Sequence, residues 1–175
     1  MEQFWIQKSF CPEFNIRAGH IIVPVGYTNA HHLPNEFFTV YRPEGENTIM
    51  PCTWHETGIS IWGRTGDWRY EAMLIPALNS MHFSKDQWIK NGSGSAFEFT
   101  PANNYAVAMR IDNYSVPGLR MGLSAYYCHS FNNTLQADQG KYKDTKGAVS
   151  IAAFDFDYKG HNWIARGNID YGHLG

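Results

Sequence analysis

The sequence predicts an all-β fold, an antiparallel up-and-down transmembrane β-barrel of about eight strands, and three observations carry that prediction. Long connections near 24–53, 78–102 and 130–146 alternate with short ones at Cys11-Pro12-Glu13, Thr65-Gly66-Asp67, Tyr114-Ser115-Val116-Pro117-Gly118 and Lys159-Gly160-His161. A soluble sandwich has no reason to gather every long loop at one end, whereas an outer-membrane barrel keeps short turns on its periplasmic side and long loops outside. The segments between the connections interleave apolar and charged residues with the period of two of a strand with unlike faces. Finally, only 17% of the residues are charged and 15% are aromatic, which suits interfacial girdles or a β-rich core. Mean hydropathy is −0.40, and no run reaches the ~18 apolar residues of a membrane helix. At 175 residues the chain reads as a single domain, 1–175.

Strands are expected near 2–10, 14–23, 54–64, 68–77, 105–112, 119–127, 152–158 and 163–171. In the first hairpin Phe14, Ile16 and Ala18 alternate with Asn15, Arg17 and Gly19, while Lys8 and His20 disturb the pattern. Lys at a lipid-facing midplane costs about 2–4 kcal/mol, so Lys8 belongs near an interface. In the second, Trp68, Tyr70, Ala72 and Leu74 alternate with Arg69, Glu71 and Met73, and Glu56 reads as out of pattern. The third is clearest: Tyr105, Val107, Met109 and Ile111 oppose Ala106, Ala108, Arg110 and Asp112, and Leu119, Met121, Leu123, Ala125 and Tyr127 oppose Arg120, Gly122, Ser124 and Tyr126. In the fourth, Phe154, Phe156 and Tyr158 flank Asp155 and Asp157, and Trp163, Ala165, Gly167, Ile169 and Tyr171 flank Arg166, Asn168 and Asp170. Tyr158 and Trp163 bracket a short turn and Tyr127 and Tyr171 lie at the far ends, as two interfacial belts require. Gly and Ala recur among the charged-face positions, which fits a water-filled lumen better than a packed interior.

If the charged face lines a lumen, it presents Arg17, Arg64, Arg69, Arg110, Arg120 and Arg166. Against them stand Glu56, Glu71, Asp112, Asp155, Asp157 and Asp170. Neighbouring strands then set cations beside carboxylates, a wall whose transverse field orients dipolar solutes and whose near balance gives no strong ion preference. The net charge of −2 gives no electrostatic case for nucleic acid.

The connection at 24–53 is long for a loop without strand periodicity, and its aromatics and prolines argue against disorder. It is a candidate constriction carrying His31, His32, Glu36 and Arg42, or else packs outside against a neighbouring subunit. Metal binding by His31, His32 and Glu36 is the weaker reading, because adjacent loop histidines are a weak signal. No Gly-x-Ser-x-Gly elbow occurs, no Cys–His pair has a recognisable context, and Asn91-Gly92-Ser93-Gly94-Ser95 lacks the Lys of a phosphate loop. No enzyme and no cofactor are therefore expected. The three cysteines, Cys11, Cys52 and Cys128, are odd in number and far apart, so thiols are expected in place of a disulfide framework.

The run Phe14 to Gly26 resembles a segment of Bacteroidetes-type outer-membrane porins of the phosphate-selective porin O/P family. The resemblance continues through Asn29 to His32, Phe37-Phe38, Tyr41-Arg42-Pro43, Ile49 to Trp54 and Glu56 to Gly58, and returns at Tyr114 to Leu119 and Ala165-Arg166-Gly167. It implies a homotrimer of water-filled barrels in the outer membrane of a Gram-negative cell, in contact with outer-membrane lipid. Small solutes, anions such as phosphate among them, would pass by diffusion. Family members are roughly twice as long and carry a signal sequence, so the chain is expected to be an internal piece lacking strands at both ends. The arginine cluster of phosphate-selective members has no counterpart within one loop here. Two other functions fit the same strands, a soluble small-ligand-binding β-barrel and a surface adhesion module. The direction in which Leu119, Leu123, Phe154, Phe156 and Tyr158 point separates the pore from the ligand-binding barrel.

Overall fold

The structure is a computed structural model that describes residues 3–29, 31, 44–51, 53–93, 102–129, 133 and 147–175. Eight strands run along the chain as β1 (Phe4–Cys11), β2 (Phe14–Ile22), β3 (His55–Thr65), β4 (Trp68–Pro76), β5 (Tyr105–Asn113), β6 (Leu119–Cys128), β7 (Val149–Gly160) and β8 (Trp163–Leu174). They pair antiparallel in the order of the sequence, in one up-and-down sheet. The sheet is open, with β1 and β8 as its two edges. The strand number and topology are those expected, but closure into a barrel is not present. β7 begins earlier and β8 ends later than the alternation suggests, because Ser150 and His173 carry no apolar signal yet still pair across the ladder.

The four short connections share one end, as up-and-down pairing requires, and successive turns are bonded to one another. Arg64 N–H donates to Pro12 O at 2.9 Å, Tyr114 N–H to Asp67 O at 2.8 Å and Lys159 N–H to Gly118 O at 2.8 Å. The last turn consists of His161 and Asn162, with φ of 51° and 62°, so β7 runs through Gly160. Two consecutive positive φ values match the right-handed twist of a hairpin.

One face of the sheet is apolar and exposed. Ile59, Ile61, Leu74, Val107, Met109, Ile111 and Leu123 stand across its middle, with Phe10, Trp68 and Trp163 towards the short turns and Phe4, Tyr105, Tyr127 and Tyr171 towards the long connections. Phe154 is 40% exposed and Leu123 56%, while their inward neighbours Asp155 and Ser124 are 0% and 2% exposed. Lys8 lies on the apolar face of β1, near the short turn and 5.3 Å over the Phe10 ring. Glu56 keeps the alternation after all: it pairs with Ile21, and its inward row continues through Gly58, Ser60 and Trp62.

The inner face is divided in two along its height. Towards the long connections, Val23, Val25, Met50, Trp54, Leu78 and Ile89 fold in against Ile21, Met73, Ile75, Tyr126, Val149 and Ile151 to make a dry core. The small inward residues Ala106, Ala108 and Ala153 are at most 1% exposed. They make room for these side chains, not for water, which corrects the expectation of a lumen along the full height.

Candidate functional site

Below that core the inner face is a network of charge. The sheet register sets Arg69 opposite Asp112, Glu71 opposite Arg110, and Asp157 between Arg120 and Arg166. Cations thus stand beside carboxylates on neighbouring strands, as the sequence predicts. Arg110 is the centre. Its Nη2 lies 2.8 Å from Asp112 Oδ1 and 2.9 Å from Asp155 Oδ1. Arg120 reaches the same two oxygens at 3.0 and 2.6 Å. Arg69 adds Glu71 at 2.6 Å and Asp112 at 3.4 Å, and Arg166 Nε holds Asp157 at 3.1 Å. Side chains of Arg110, Asp112, Glu71 and Asp155 are at most 5% exposed. Buried ions this close repay their desolvation only when the remaining donors and acceptors are also met.

Gly122 permits the convergence. A Cβ there would meet Arg110 Nη2 in a clash and lie 2.9 Å from both Arg120 Nη1 and Asp112 Oδ1. Ser60 Oγ–H donates to Glu71 Oε1 at 2.6 Å. Arg17 lies between the Trp5 and Trp62 rings, 5.0 and 5.7 Å from their centroids, and its Nε donates to Gln7 Oε1 at 3.2 Å. A guanidinium over an indole face is attracted by the ring quadrupole, by about 0.5–2 kcal/mol depending on its exposure. Arg64 stays outside the network, 4.9 Å over the Tyr114 ring. Asp170 accepts from Asn168 Nδ2 at 2.5 Å.

The first part of the connection after β2 folds inward as a strap. Gly26 N–H donates to Ser124 Oγ at 3.0 Å, and Gly26 O accepts from Arg110 Nη1 at 3.0 Å. Tyr27 OH donates to Asp157 Oδ2 at 3.3 Å, with Arg120 5.3 Å over its ring. Burial beside the Asp157 carboxylate pushes the Tyr27 phenol up to about 12. Asn29 ties the strap to its root, donating to Val23 O and accepting from Trp54 N–H at 2.6 Å each. The same connection then forms α1 (Glu44–Ile49), whose first turn carries Glu44 and Glu46, as the helix dipole favours. Glu46 accepts from Tyr27 N–H at 3.2 Å, from Thr28 N–H at 2.8 Å and from Asn168 Nδ2 of β8 at 3.3 Å. The strap therefore crosses the inner face from β2 to β8.

Between strap and network lies a recess of about 290 Å³. Its wall is Arg17, Arg69, Arg110 and Arg120 with Glu71 and Asp112, and the strap side is Pro24 and His31. His31 stacks on Tyr27, ring centroids 4.8 Å apart. Of the candidate constriction residues, His31 thus borders the recess, while His32, Glu36 and Arg42 lie outside the described residues. Among the described residues no group of three His, Cys, Asp or Glu is placed to hold a metal.

Sequence reasoning found the charged residues but not the parts that organise them. Gly122, Ser124 and Asn168 were legible from alternation only as members of the charged face. Glu46 and Tyr27 sit in an aperiodic connection, where no pattern marks them.

No family model and no solved structure matches the chain. A stretch of 80 residues is 38% identical to an uncharacterized protein of Aquifex aeolicus, covering 46% of this chain and 18% of that protein. Among the described residues no helix is long and apolar enough to cross a membrane, which says nothing of a β-barrel.

Proposed function

We propose that these eight strands are an arc of the wall of an outer-membrane porin of the phosphate-selective O/P type, a trimer of barrels through which small anions diffuse. The observation that carries this reading is the inverted polarity of the sheet. Phe154 and Leu123 are open to the surroundings while Asp155 is 0% exposed and Ser124 2%. In water a sheet buries its apolar side; in a bilayer the apolar side faces lipid and the polar side faces a channel. The ligand-binding barrel requires Leu123 and Phe154 inside, opposite to their placement. Rings at both ends of the apolar band match two interfacial belts.

An open sheet leaves two rows of unpaired backbone groups, which a bilayer does not tolerate. In this reading β1 and β8 pair with strands other than these eight. Their opposite directions allow an antiparallel seam on each side. The recess, with four guanidinium groups against two carboxylates, is the anion station.

The test is refolding of the full chain with and without detergent or lipid, followed by planar-bilayer recording. The proposal expects folding only with detergent or lipid, and anion-preferring channels once the edges are paired, whether by a second copy or by added strands. A folded, monodisperse protein in plain buffer contradicts it.

A further inference from the structure

Guanidinium groups outnumber the carboxylates they meet on the inner face. Arg110 and Arg120 share Asp112 Oδ1 and Asp155 Oδ1, and Arg69 is held by Glu71 and Asp112. Arg17 is the least paired: its one carboxylate, Glu71, lies 4.0 Å away and is already bonded to Arg69 at 2.6 Å and to Ser60 Oγ at 2.6 Å. Among the described residues these contacts close on four cations (Arg17, Arg69, Arg110, Arg120) and three carboxylates (Glu71, Asp112, Asp155), which leaves one positive charge in excess. That excess is reachable at Arg17, whose side chain is 23% exposed against 5% for Arg110.

The remaining groups around Arg17 fix its position without neutralising it. Trp5 and Trp62 lie against the guanidinium, and the Trp62 ring has Arg69 at 5.9 Å as well. Gln7 Oε1 accepts from both Arg17 Nε and Trp62 Nε1, at 3.2 and 3.1 Å, while the Gln7 amide donates to Ser9 Oγ at 3.1 Å. With Nε taken and indoles alongside, the guanidinium keeps its two Nη groups, and Arg17 borders the recess of about 290 Å³. Two N–H groups on one edge of a planar cation match the two oxygens of a carboxylate. The wall also carries Ile22, Pro24 and Tyr114, which offer apolar contact to a short carbon chain.

We propose that the recess takes one small organic monoanion, a monocarboxylate, and that Arg17 is the residue that receives its carboxylate. This deepens the pore reading by naming the class of solute, and rests on that reading for the solute's passage. A single negative charge is what the cluster lacks. A dianion brings a second charge against Glu71 and Asp112, whose side chains are 5% and 3% exposed, and like charges repel more strongly there than in water. A monocarboxylate makes cations and carboxylates equal in number.

The experiment is calorimetric titration of the full chain, refolded in micelles at slightly alkaline pH, with propionate, and with malonate and inorganic phosphate as doubly charged comparisons. Propionate is expected to bind at one site per chain and to change the indole fluorescence, because Trp5 and Trp62 flank Arg17. Malonate and phosphate are expected to bind more weakly by about tenfold or more. Arg17→Gln removes a charge-assisted hydrogen bond and is expected to weaken propionate binding by about tenfold or more. Gln7→Glu is nearly isosteric and sets the missing carboxylate where Gln7 Oε1 already meets Arg17 Nε, so it is expected to cause the same loss with the circular dichroism of the sheet unchanged. Lys8→Gln, which removes a positive charge from the outer face, is expected to leave binding as it was. The proposal is overturned by no saturable propionate binding in the wild type, by unchanged affinity in Arg17→Gln or Gln7→Glu, by an equal loss in Lys8→Gln, or by malonate or phosphate binding as tightly as propionate. Bilayer conductance recorded in parallel keeps the two readings apart: propionate binding without conductance supports the site and overturns the pore, and conductance without propionate binding does the reverse.

Discussion

Replacing Arg110 with Met removes the group on which the charge network converges. The guanidinium contacts Asp112 and Asp155 within 2.9 Å and donates to Gly26 O at 3.0 Å. Without it, Asp155 keeps Arg120, and Asp112 keeps Arg120 at 3.0 Å and Arg69 at 3.4 Å. Around this point four guanidinium groups, Arg17, Arg69, Arg110 and Arg120, face three carboxylates, Glu71, Asp112 and Asp155, and the variant removes the most buried cation and leaves the fully buried Asp155 with Arg120 alone. Breaking one partner of a buried ion pair costs about 3–5 kcal/mol, a large part of the ~5–15 kcal/mol that holds a domain together. The assay is guanidinium-induced unfolding in micelles, followed by the circular dichroism of the sheet. Arg110→Met should lower the unfolding free energy by about 3 kcal/mol or more. Adding Asp155→Asn should recover about 1 kcal/mol or more, because the sites share a contact. A loss below about 1 kcal/mol, or no recovery in the double variant, refutes a desolvated network at this height.

Three further outcomes are expected. Gly122→Ala drives a Cβ into the tips of Arg110 and Arg120 and should cost about 1–3 kcal/mol in the same unfolding assay, whereas Gly45→Ala in α1, where nothing lies within 4 Å, should cost nothing. Leu123→Arg should lower the efficiency of insertion into vesicles by about 2–4 kcal/mol while a charge on the inner face does not, which vesicle-refolding titrations measure. Tyr27, with its phenol raised to about 12, should give a tyrosinate absorbance step later than that of a tyrosine in water. Because the folded value exceeds the unfolded one, its contribution is complete below about 10 and is lost as pH rises towards 12, so stability falls over that window.

The strands and their faces were legible because period-two alternation survives in β4 to β8, where Arg69, Glu71, Arg110, Asp112, Arg120, Asp155, Asp157 and Arg166 take inward positions between apolar outward ones. Trp62 and Trp5 broke the rule by facing inward, and only the stacking of Arg17 between them explains why. Alternation also marked Arg69, Glu71, Arg110, Asp112, Arg120, Asp155 and Asp157 as one group, since residues two apart share a face and register sets their neighbours. It could not reveal the division of that face by height. Ala106, Ala108 and Ala153 look alike whether they border water or a folded-in segment, and the segment that covers them has no periodicity of its own. For the same reason Glu46 was invisible: it lies in that segment, and two of its partners are the backbone N–H groups of Tyr27 and Thr28, which carry no side-chain signature.

In the proposed pore the sheet turns its apolar side to lipid and its charged side to a channel. Single nitroxide labels at Leu123, Ile169 and Met109, with the native cysteines replaced, can be compared with a label at Ser60 in lipid vesicles for their collision rates with oxygen and with a water-soluble nickel chelate. The account predicts that the three outward labels meet oxygen and exclude the chelate, while Ser60 excludes oxygen. Outward labels freely reached by the chelate would contradict it.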